Sequence, residues 1–380
     1  MRVAVTGGSG FIGAHVVDRL LDAGHEVRAL DVAAGGGVAR ADHRVVDVLD
    51  LEAMVDALAG CEAVFHIAGM SNVDLAFADP VGTVRLNVEG TGNVLEAARR
   101  GGLRRVLFAS TVWVYGAVPE EAESAGRALG EDTPIELGRA GHVYTSTKLA
   151  AELLLHSYRE TYGVPFTILR YGIPYGPGMR DELVLARFVA RALAGEPLTV
   201  AGDGEQFRHY VYVRDLADAH VRALTEPAAE NATIALEGTE RVSVLEMAEA
   251  VRAHFPGIRI EHGPARPGDY RGREISAERA ADLLGWRPTT TFQDGVRQYV
   301  EWYRAHRAAD ARGTAAQDGA RGRVPKAPVP GPGSPKERAA GVGRAKTPAA
   351  GVAARDTASR DTAPRARRAD VPAEPTSAER

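Results

Sequence analysis

The chain contains 380 residues, of which 45% are hydrophobic and 25% are charged, the balance of a folded protein that can bury a sizeable core. The formal net charge of −4 and the absence of a basic groove pattern argue against a nucleic-acid-binding protein. The apolar runs fall well short of the roughly 20 residues that a bilayer span needs, and the single cysteine, Cys61, excludes an intramolecular disulfide bond. We therefore predict no membrane, nucleic-acid or metal partner.

From Met1 to about Gly172, short β-branched runs alternate with longer helical periods, a pattern typical of βαβ units and a parallel sheet. The predicted strands are VAVTG, EVRALD, HRVVDV, AVFHIAG, RVLFAS and FTILRYG. Because the first strand follows Met1 so closely and leads into a glycine-rich turn, we expect no signal peptide and a cytoplasmic location. A single cysteine agrees with a reducing compartment.

Beyond Pro174 the pattern changes to one YVYV strand and four helices, near 183–194, 213–224, 245–254 and 277–284. We therefore predict an α/β fold with a Rossmann-type, doubly wound parallel sheet over residues 1–172. Later strands are expected to return to this sheet from about 207–240. The remainder of residues 173–307 is predicted to form a smaller C-terminal substrate-binding lobe over the carboxyl ends of the strands, where open α/β sheets bind ligands.

Residues 308–380 form a segment of distinct composition, rich in Ala, Arg and Pro. From Arg312 onward this segment contains no aromatic residue, no Leu and no Ile. Such a segment cannot bury enough apolar surface to offset the entropy lost on ordering, so we predict a disordered tail.

The first predicted strand runs into the turn GGSGFIG, which opens a predicted helix. The spacing of Gly7, Gly10 and Gly13 in this context predicts a dinucleotide site rather than a turn without a ligand, because glycines let the backbone approach a pyrophosphate at the helix N-terminus. Asp31 ends the second strand, where its carboxylate can accept hydrogen bonds from the adenosine ribose and repel a 2′-phosphate. We therefore predict NAD as the cofactor, not NADP. The cofactor-binding residues predicted here are Gly7, Gly10, Phe11, Ile12, Gly13 and Asp31.

Tyr144 and Lys148 stand at positions i and i+4 of a predicted helix and therefore share one face. A tyrosine ordinarily loses its proton near pH 10, so it becomes a base at neutral pH only if positive charge stabilises the phenolate. A decrease of about three in that pKa requires roughly 4 kcal/mol, which a close ammonium and a positive nicotinamide ring can supply. The dinucleotide turn upstream favours this interpretation over a pair that merely decorates a helix.

The order of these motifs resembles the extended short-chain dehydrogenase/reductase family, within it the NAD-dependent epimerase/dehydratase group and its UDP-galactose 4-epimerase-like nucleotide-sugar epimerases. The resemblance covers residues 1–304. Besides the glycine turn, Tyr144 and Lys148, it is carried by HIAG, LNVEGTGNVLEAAR, ASTVWVYG, LRYGIPYGPG, RHYVYVRDLADAH and RPGD.

The resemblance implies an NAD site, a nucleotide-sugar substrate and a homodimer formed through helices near 81–100 and 145–162. It implies that Lys148 contacts the nicotinamide ribose and that Asn87 holds the helix that carries the active site, although Asn87 has the alternative of satisfying a local carbonyl group. The further cofactor-binding residues implied are Asp47, Val48, Ile67, Ala68, Gly69, Asn87, Tyr144, Lys148 and Tyr171. The catalytic residues implied are Thr111, Tyr144 and Lys148. The substrate-binding residues implied are Thr111, Tyr144, Ile173, Arg208, Arg266 and Asp269.

Three positions depart from the family pattern, and they bear on which reaction and which substrate we expect. In the 4,6-dehydratases of the family an Asp and a Glu follow the catalytic threonine, and in its decarboxylases a Glu occupies the second position. Here Val112 and Trp113 follow Thr111, and neither side chain can transfer a proton, which disfavours dehydration and decarboxylation. Ile173 replaces an asparagine that helps to hold the substrate diphosphate, which leaves the nucleotide open.

The sequence therefore favours an NAD-dependent nucleotide-sugar 4-epimerase that passes through a 4-keto intermediate. An alternative is an NAD(H)-dependent ketoreductase or dehydrogenase of a nucleotide sugar or another carbonyl compound. A non-catalytic NAD sensor is disfavoured because Tyr144 and Lys148 are both present.

Overall fold

The computed structural model describes residues 1–34, 37–117, 128–265 and 272–320. The strands are β1 (Arg2–Thr6), β2 (Glu26–Asp31), β3 (Asp42–Val45), β4 (Ala63–His66), β5 (Arg105–Thr111), β6 (Phe166–Tyr171), β7 (Ile173–Tyr175), β8 (Leu198–Ala201), β9 (Phe207–Tyr212), β10 (Ala232–Leu236), β11 (Arg241–Ser243) and β12 (Ile260–Gly263). The helices are α1 (Phe11–Asp22), α2 (Leu51–Leu58), α3 (Val73–Ala78), α4 (Pro80–Val84), α5 (Gly90–Gly101), α6 (Val143–Tyr162), α7 (Val184–Leu193), α8 (Val213–Thr225), α9 (Val244–Arg252), α10 (Glu278–Leu284) and α11 (Phe292–Ala320).

Seven strands form one sheet in the order β10-β6-β5-β4-β1-β2-β3, and every neighbouring pair is parallel. Helices α1 and α8 pack on one face of the sheet, while α2, α5 and α6 pack on the other. The central strands are apolar on both faces because both are covered by helices. The predicted Rossmann-type, doubly wound fold is confirmed. Of the strands between residues 207 and 240, β10 lies at the edge of this sheet, whereas β9 belongs to a separate sheet.

The elements after β6 build a second, smaller core. A three-stranded sheet, β11-β9-β7, and a two-stranded sheet, β12-β8, pack with α7, α9 and α11 around buried Tyr299, Phe188 and Met247. The four helices predicted beyond Pro174 correspond to α7 to α10. Their observed ends lie within two residues of those predicted.

The last helix, α11, continues to Ala320 and so passes residue 307, where the sequence places the end of the lobe. Residues 321–380, which contain most of the predicted tail, lie outside the described residues. The extent of the tail and the boundaries of the two predicted domains therefore stay predictions. Within the described ranges, no helix combines the length and apolarity needed to cross a bilayer.

Helix α6 is fixed to the sheet by a buried ion pair. Arg170 on β6 donates to both carboxylate oxygens of Glu152 on α6, at 2.6 Å from Nη2 to Oε2 and 3.0 Å from Nε to Oε1. The hydroxyl of Ser110 on β5 donates to the same carboxylate at 2.5 Å. Both charged side chains are only 7% exposed. Such a pair holds its geometry because each charge lacks water and depends on its partner.

Replacing Glu152 by Ala is expected to lower the free energy of unfolding by about 3–5 kcal/mol, because the Arg170 guanidinium would stay buried without its counter-charge. Chemical denaturation of the variant and the wild-type protein measures this difference. The exposed Glu160 lies on the same helix, so Glu160→Ala serves as the control and should change stability by at most about 0.5 kcal/mol. Equal effects of the two substitutions would contradict the role assigned to the ion pair.

Candidate active site

The turn between β1 and α1 is built from glycines that allow close contact between backbone segments. A Cβ atom on Gly13 would lie 2.0 Å from the Gly7 carbonyl oxygen, and one on Gly7, whose φ is +69°, would lie 2.9 Å from the Ala68 nitrogen. No side chain fits at either position. Gly10 is the N-cap of α1 and places no side chain over the N-terminal amides of the helix. The turn therefore presents bare backbone N–H groups, as an anion-binding site requires.

These residues open onto a cleft of about 780 Å³ at the carboxyl ends of the sheet strands. The cleft runs from the glycine turn past the ends of β2, β4 and β5 to α6. The sequence-predicted residues that line it are Gly7, Gly10, Phe11, Ile12, Gly13, Asp31, Asp47, Val48, Ile67, Ala68, Gly69, Thr111, Tyr144, Lys148, Tyr171 and Ile173.

Asn87 is the one predicted cofactor residue that does not line the cleft. Its side chain is 2% exposed and lies behind the cleft wall. Its amide oxygen accepts the Met70 N–H at 2.7 Å, and its amide nitrogen donates to the Met70 carbonyl and to the Thr147 hydroxyl, both at 3.0 Å. Asn87 therefore does both things the sequence left open, since it satisfies a local carbonyl group and ties α6 to the loop after β4.

Asp31 faces the cleft at the end of β2. One carboxylate oxygen accepts the Ser9 N–H at 3.1 Å and the other accepts the Ala33 N–H at 3.2 Å. These two bonds hold the carboxylate beside the glycine turn rather than leave it as a solvated strand end. Asp47, by contrast, accepts the Leu49 N–H at 2.9 Å and so stabilises its own turn.

His66 is a structural histidine. Its Nδ1 lies 2.8 Å from the Thr6 hydroxyl and its Nε2 lies 3.1 Å from the Thr91 hydroxyl. The Thr91 hydroxyl donates to the Asn87 carbonyl at 2.6 Å, so Nε2 carries the hydrogen and Nδ1 accepts from Thr6. Burial lowers the pKa of His66 to about 3, with a further contribution from the charge of Lys148. A neutral imidazole ring whose two nitrogens are both hydrogen-bonded within the protein is not available as an acid or a base.

Tyr144 and Thr111 lie where α6 begins and β5 ends. The Trp113 N–H donates to the Thr111 hydroxyl oxygen at 3.2 Å, and the Thr111 side chain acts to lower the pKa of Tyr144. Both residues are almost completely buried, with 5% of Thr111 and 9% of Tyr144 exposed. Both line the same cleft.

Burial raises the pKa of Tyr144 to about 12, although the hydrogen bond from Thr111 and the charge of Arg180 each act to lower it. This shift is opposite to the decrease expected from the sequence for the catalytic site. The ammonium of Lys148 donates to the Ala109 carbonyl at 2.8 Å and lies 4.8 Å from the centre of the Phe108 ring. Tyr144 therefore holds its proton at neutral pH in the protein alone.

Tyr171 lines the cleft while its hydroxyl is engaged elsewhere. That hydroxyl lies 2.5 Å from Nε2 of His220, whose Nδ1 lies 2.7 Å from the Leu216 carbonyl. Since Nδ1 must donate to the carbonyl, Nε2 accepts the hydrogen of Tyr171. The hydroxyl hydrogen of Tyr171 is therefore not available to a ligand in the cleft.

A second cavity, of about 270 Å³, adjoins the cleft, and Trp113 and Ile173 line both. Arg208 on β9 lines this second cavity and donates to the Phe207 carbonyl at 2.6 Å. The structure thus places Ile173 and Arg208 together. The predicted substrate residues Arg266 and Asp269 lie outside the described residues.

The structure also brings in two residues that the sequence did not single out. Arg180 lines the cleft and its charge acts on Tyr144. Glu237 lines the second cavity and is 2% exposed. Glu237 directly follows the apolar run ATIAL of β10, and a carboxylate directly after such an apolar run is a signal that the sequence contains.

Comparison with known proteins identifies relatives over most of the chain. Residues 3–236 match the family described as the NAD dependent epimerase/dehydratase family. The chain is 30% identical over 338 residues to the probable UDP-glucuronate 4-epimerase of Rhizobium meliloti, covering 80% of this chain and 97% of that protein. It is 30% identical over 326 residues to the dTDP-glucose 4,6-dehydratase of Streptomyces niveus, covering 81% and 94%. The structure of Thermus thermophilus UDP-glucose 4-epimerase in complex with NAD is similar with a TM-score of 0.70 and 34% identity, covering 80% and 99%.

Lys148 is predicted to lose its proton with a midpoint near pH 8 in the protein without bound nucleotide, because burial lowers the pKa of its ammonium to about 8. NMR of lysine labelled with ¹³C at Cε measures the titration, and loss of the signal in Lys148→Met assigns it. In the unfolded chain the same proton is held to about pH 10.4. Between about pH 8 and about pH 10.4 the Lys148 side chain binds more protons in the unfolded state than in the folded state. The free energy of unfolding should therefore rise with pH over this range in the wild-type protein, and this contribution should be absent from Lys148→Met. A Lys148 midpoint near 10.4 in the folded protein would contradict the buried position.

Proposed function

Because the chain belongs to the NAD dependent epimerase/dehydratase family, we propose that this enzyme is a nucleotide-sugar 4-epimerase with NAD as its resident cofactor. The observation that carries the proposal is that Thr111, Tyr144 and Lys148 line the same cleft, where the Thr111 side chain acts on the pKa of Tyr144. The two positions that follow Thr111 hold Val112 and Trp113, neither of which transfers protons.

The cleft fits a dinucleotide. Its glycine turn has no room for side chains and exposes the N-terminal amides of α1, which suits a pyrophosphate. Asp31 is held beside that turn, where it would accept hydrogen bonds from the adenosine ribose, and Lys148 would contact the ribose at the other end. Bound NAD supplies a hydride acceptor in its oxidised form and a hydride donor in its reduced form.

Tyr144 acts as the base in this proposal and takes the proton of the sugar O4 hydroxyl, while Thr111 holds both oxygen atoms by hydrogen bonds. Lowering the pKa of Tyr144 from about 12 to about 7 requires roughly 7 kcal/mol of preferential stabilisation of the phenolate. One exposed charge such as Arg180 is too weak for this. A buried ammonium at Lys148 and the positive charge of the oxidised cofactor are both needed, so the base becomes active only in the loaded enzyme.

The same residues return the proton when the 4-keto sugar is reduced on its other face, so the cofactor is recycled. The positions after Thr111 offer no acid or base for eliminating a hydroxyl group, which distinguishes this reaction from dehydration. The ketoreductase alternative uses the same three residues and differs in consuming reduced cofactor.

We also propose a homodimer formed through the face of α4 and α6. Both helices present apolar side chains to solvent, among them Val81 with 71%, Leu153 with 56% and Tyr162 with 57% exposed. An apolar face of this kind marks an association surface. A cytoplasmic location stays a prediction.

A substrate deuterated at C4, incubated with unlabelled NAD, is expected to yield the C4 epimer with deuterium still at C4. Hydride that leaves C4 returns to C4 when the cofactor stays bound. A panel of UDP-glucose, dTDP-glucose and UDP-glucuronic acid selects the substrate, and NMR with mass spectrometry follows the label. Tyr144→Phe should lower turnover by about 10²–10⁴-fold and spare NAD binding, because it removes the base and keeps the ring.

Tyr162→Phe is the matched control, since Tyr162 lies at the far end of the same helix from Tyr144, and the substitution keeps the ring that Tyr162 contributes to the proposed dimer face, so turnover should stay unchanged. Undiminished turnover in Tyr144→Phe, or accumulation of a 4-keto-6-deoxy sugar, would contradict the mechanism. Net loss of deuterium to free cofactor would support the ketoreductase alternative instead.

Replacing Asp31 by Ser is expected to weaken NAD binding by roughly 10–100-fold and to reduce discrimination against NADP, because it removes a charged acceptor from the ribose. Calorimetric titration with both nucleotides measures the change. Asp56→Ser, at an exposed position on α2, is the control. Tighter binding of NADP than of NAD by the wild-type protein would show that Asp31 does not contact the ribose.

A further inference from the structure

The side chain of Glu237 is buried without an adequate partner. It directly follows β10, is 2% exposed, and its Oε2 atom has no hydrogen-bond partner among the described residues. A buried polar atom left unsatisfied costs free energy, so its presence in a folded protein requires an explanation. A ligand that completes its hydrogen bonding is one.

The carboxyl group faces the second cavity, of about 270 Å³, next to the reaction centre. Trp113 and Tyr115 contribute aromatic faces to the same cavity, and Trp113 and Ile173 connect it to the cleft that holds Tyr144. This volume lies at the lower end of ligand sites and suits one small unit of a larger ligand. The cavity therefore extends the cleft in the place where a group attached to the reacting carbon would lie.

Two glycines keep the carboxyl group in this position. A Cβ atom on Gly172 would lie 2.5 Å from Oε2 of Glu237, so the absence of a side chain at 172 leaves the space that the carboxyl group occupies. A Cβ atom on Gly238 would lie 2.2 Å from the Tyr210 carbonyl oxygen, so the backbone after Glu237 packs directly on β9. The position of Glu237 follows from this local geometry.

The surroundings favour the neutral form of the carboxyl group. Burial raises the pKa of Glu237 well above its ordinary value, and the carboxylate of Glu274 raises it further. That carboxylate lies 2.9 Å from His209 Nε2. The other titratable or charged groups on the cavity wall are Tyr115, Arg208, His209 and Arg273. A protonated Glu237 offers one O–H donor and one carbonyl acceptor, the pair that matches a hydroxyl group.

We infer that Glu237 is a specificity-determining residue that hydrogen-bonds a hydroxyl group on the sugar unit of the substrate. The inference rests on the proposed function in one respect, namely that the substrate is a nucleotide sugar. It adds that recognition of the sugar comes from the second cavity, where Glu237 supplies a hydrogen-bonding group and Trp113 contributes apolar surface.

The test compares the binding of UDP-glucose with that of UDP, and of dTDP-glucose with that of dTDP, by calorimetry with saturating NAD. In Glu237→Leu the sugar nucleotide that binds the wild-type protein should bind roughly 10-fold more weakly, and the matching diphosphate should bind unchanged. Glu237→Gln keeps a donor and an acceptor and should bind within about threefold of the wild type. Gly172→Ala displaces the carboxyl group and should weaken sugar binding in the same selective way.

Melting temperature separates this role from a structural one. Glu237→Leu removes an unsatisfied buried group and should be at least as stable as the wild type if the residue serves a ligand. Three results would overturn the inference. Glu237→Leu could weaken the binding of UDP-glucose and UDP equally, it could weaken neither, or the wild-type protein could bind UDP-glucose no more tightly than UDP. Selective loss of sugar binding in the variant, with a wild type that forms no 4-epimer, would overturn the proposed reaction and leave the role of Glu237 standing.

Discussion

The active site depends on how helix α6 is attached to the sheet. Tyr144 and Lys148, the two residues of that helix proposed to be catalytic, lie in its first two turns, and buried contacts of the helix with the sheet and with the loop after β4 set their positions. Glu152 is locked to Arg170, Thr147 accepts from Asn87, and the ammonium of Lys148 donates to a β5 carbonyl. Because each contact is buried, a small rotation of the helix would leave charges or polar atoms without partners.

Burial also sets the charge state of the site. The same desolvation raises the pKa of Tyr144 and Glu237 and lowers that of Lys148 and His66, so it favours the neutral form of all four. At neutral pH Tyr144 and His66 are therefore uncharged, whereas Lys148, with a pKa of about 8, keeps its positive charge. If Tyr144 is the base, as proposed, its phenolate needs positive charge from its neighbours and the cofactor, which would couple the activity of the base to the occupancy of the cleft.

In the proposed function, the two adjoining cavities separate recognition of the sugar from the cofactor site and the chemistry. The long cleft carries the glycine turn, Asp31 and the Thr111 and Tyr144 hydroxyls, and the smaller cavity carries Arg208 and Glu237. Trp113 lines both cavities. By the resemblance described above, a Glu occupies this position in the dehydratases and decarboxylases of the family. The family contains epimerases and dehydratases on this fold, so the side chains on the cavity walls, not the sheet, select the reaction.

The sequence by itself determined the features that depend on local spacing. The glycine turn, the end of β2 at Asp31, the shared helix face of Tyr144 and Lys148, and the alternation of strands and helices up to about Gly172 follow from periodicity and from residues within a few positions of one another. Beyond Pro174 the sequence located one strand, and the positions of the short strands β8, β10, β11 and β12 were missed. Only the tertiary structure decided the direction of the Tyr144 pKa shift, the position of Asn87 behind the cleft wall, and the placement of Glu237 against Gly172. Each of these depends on burial, and burial is the sum of contacts from segments far apart in the chain, which no local pattern contains.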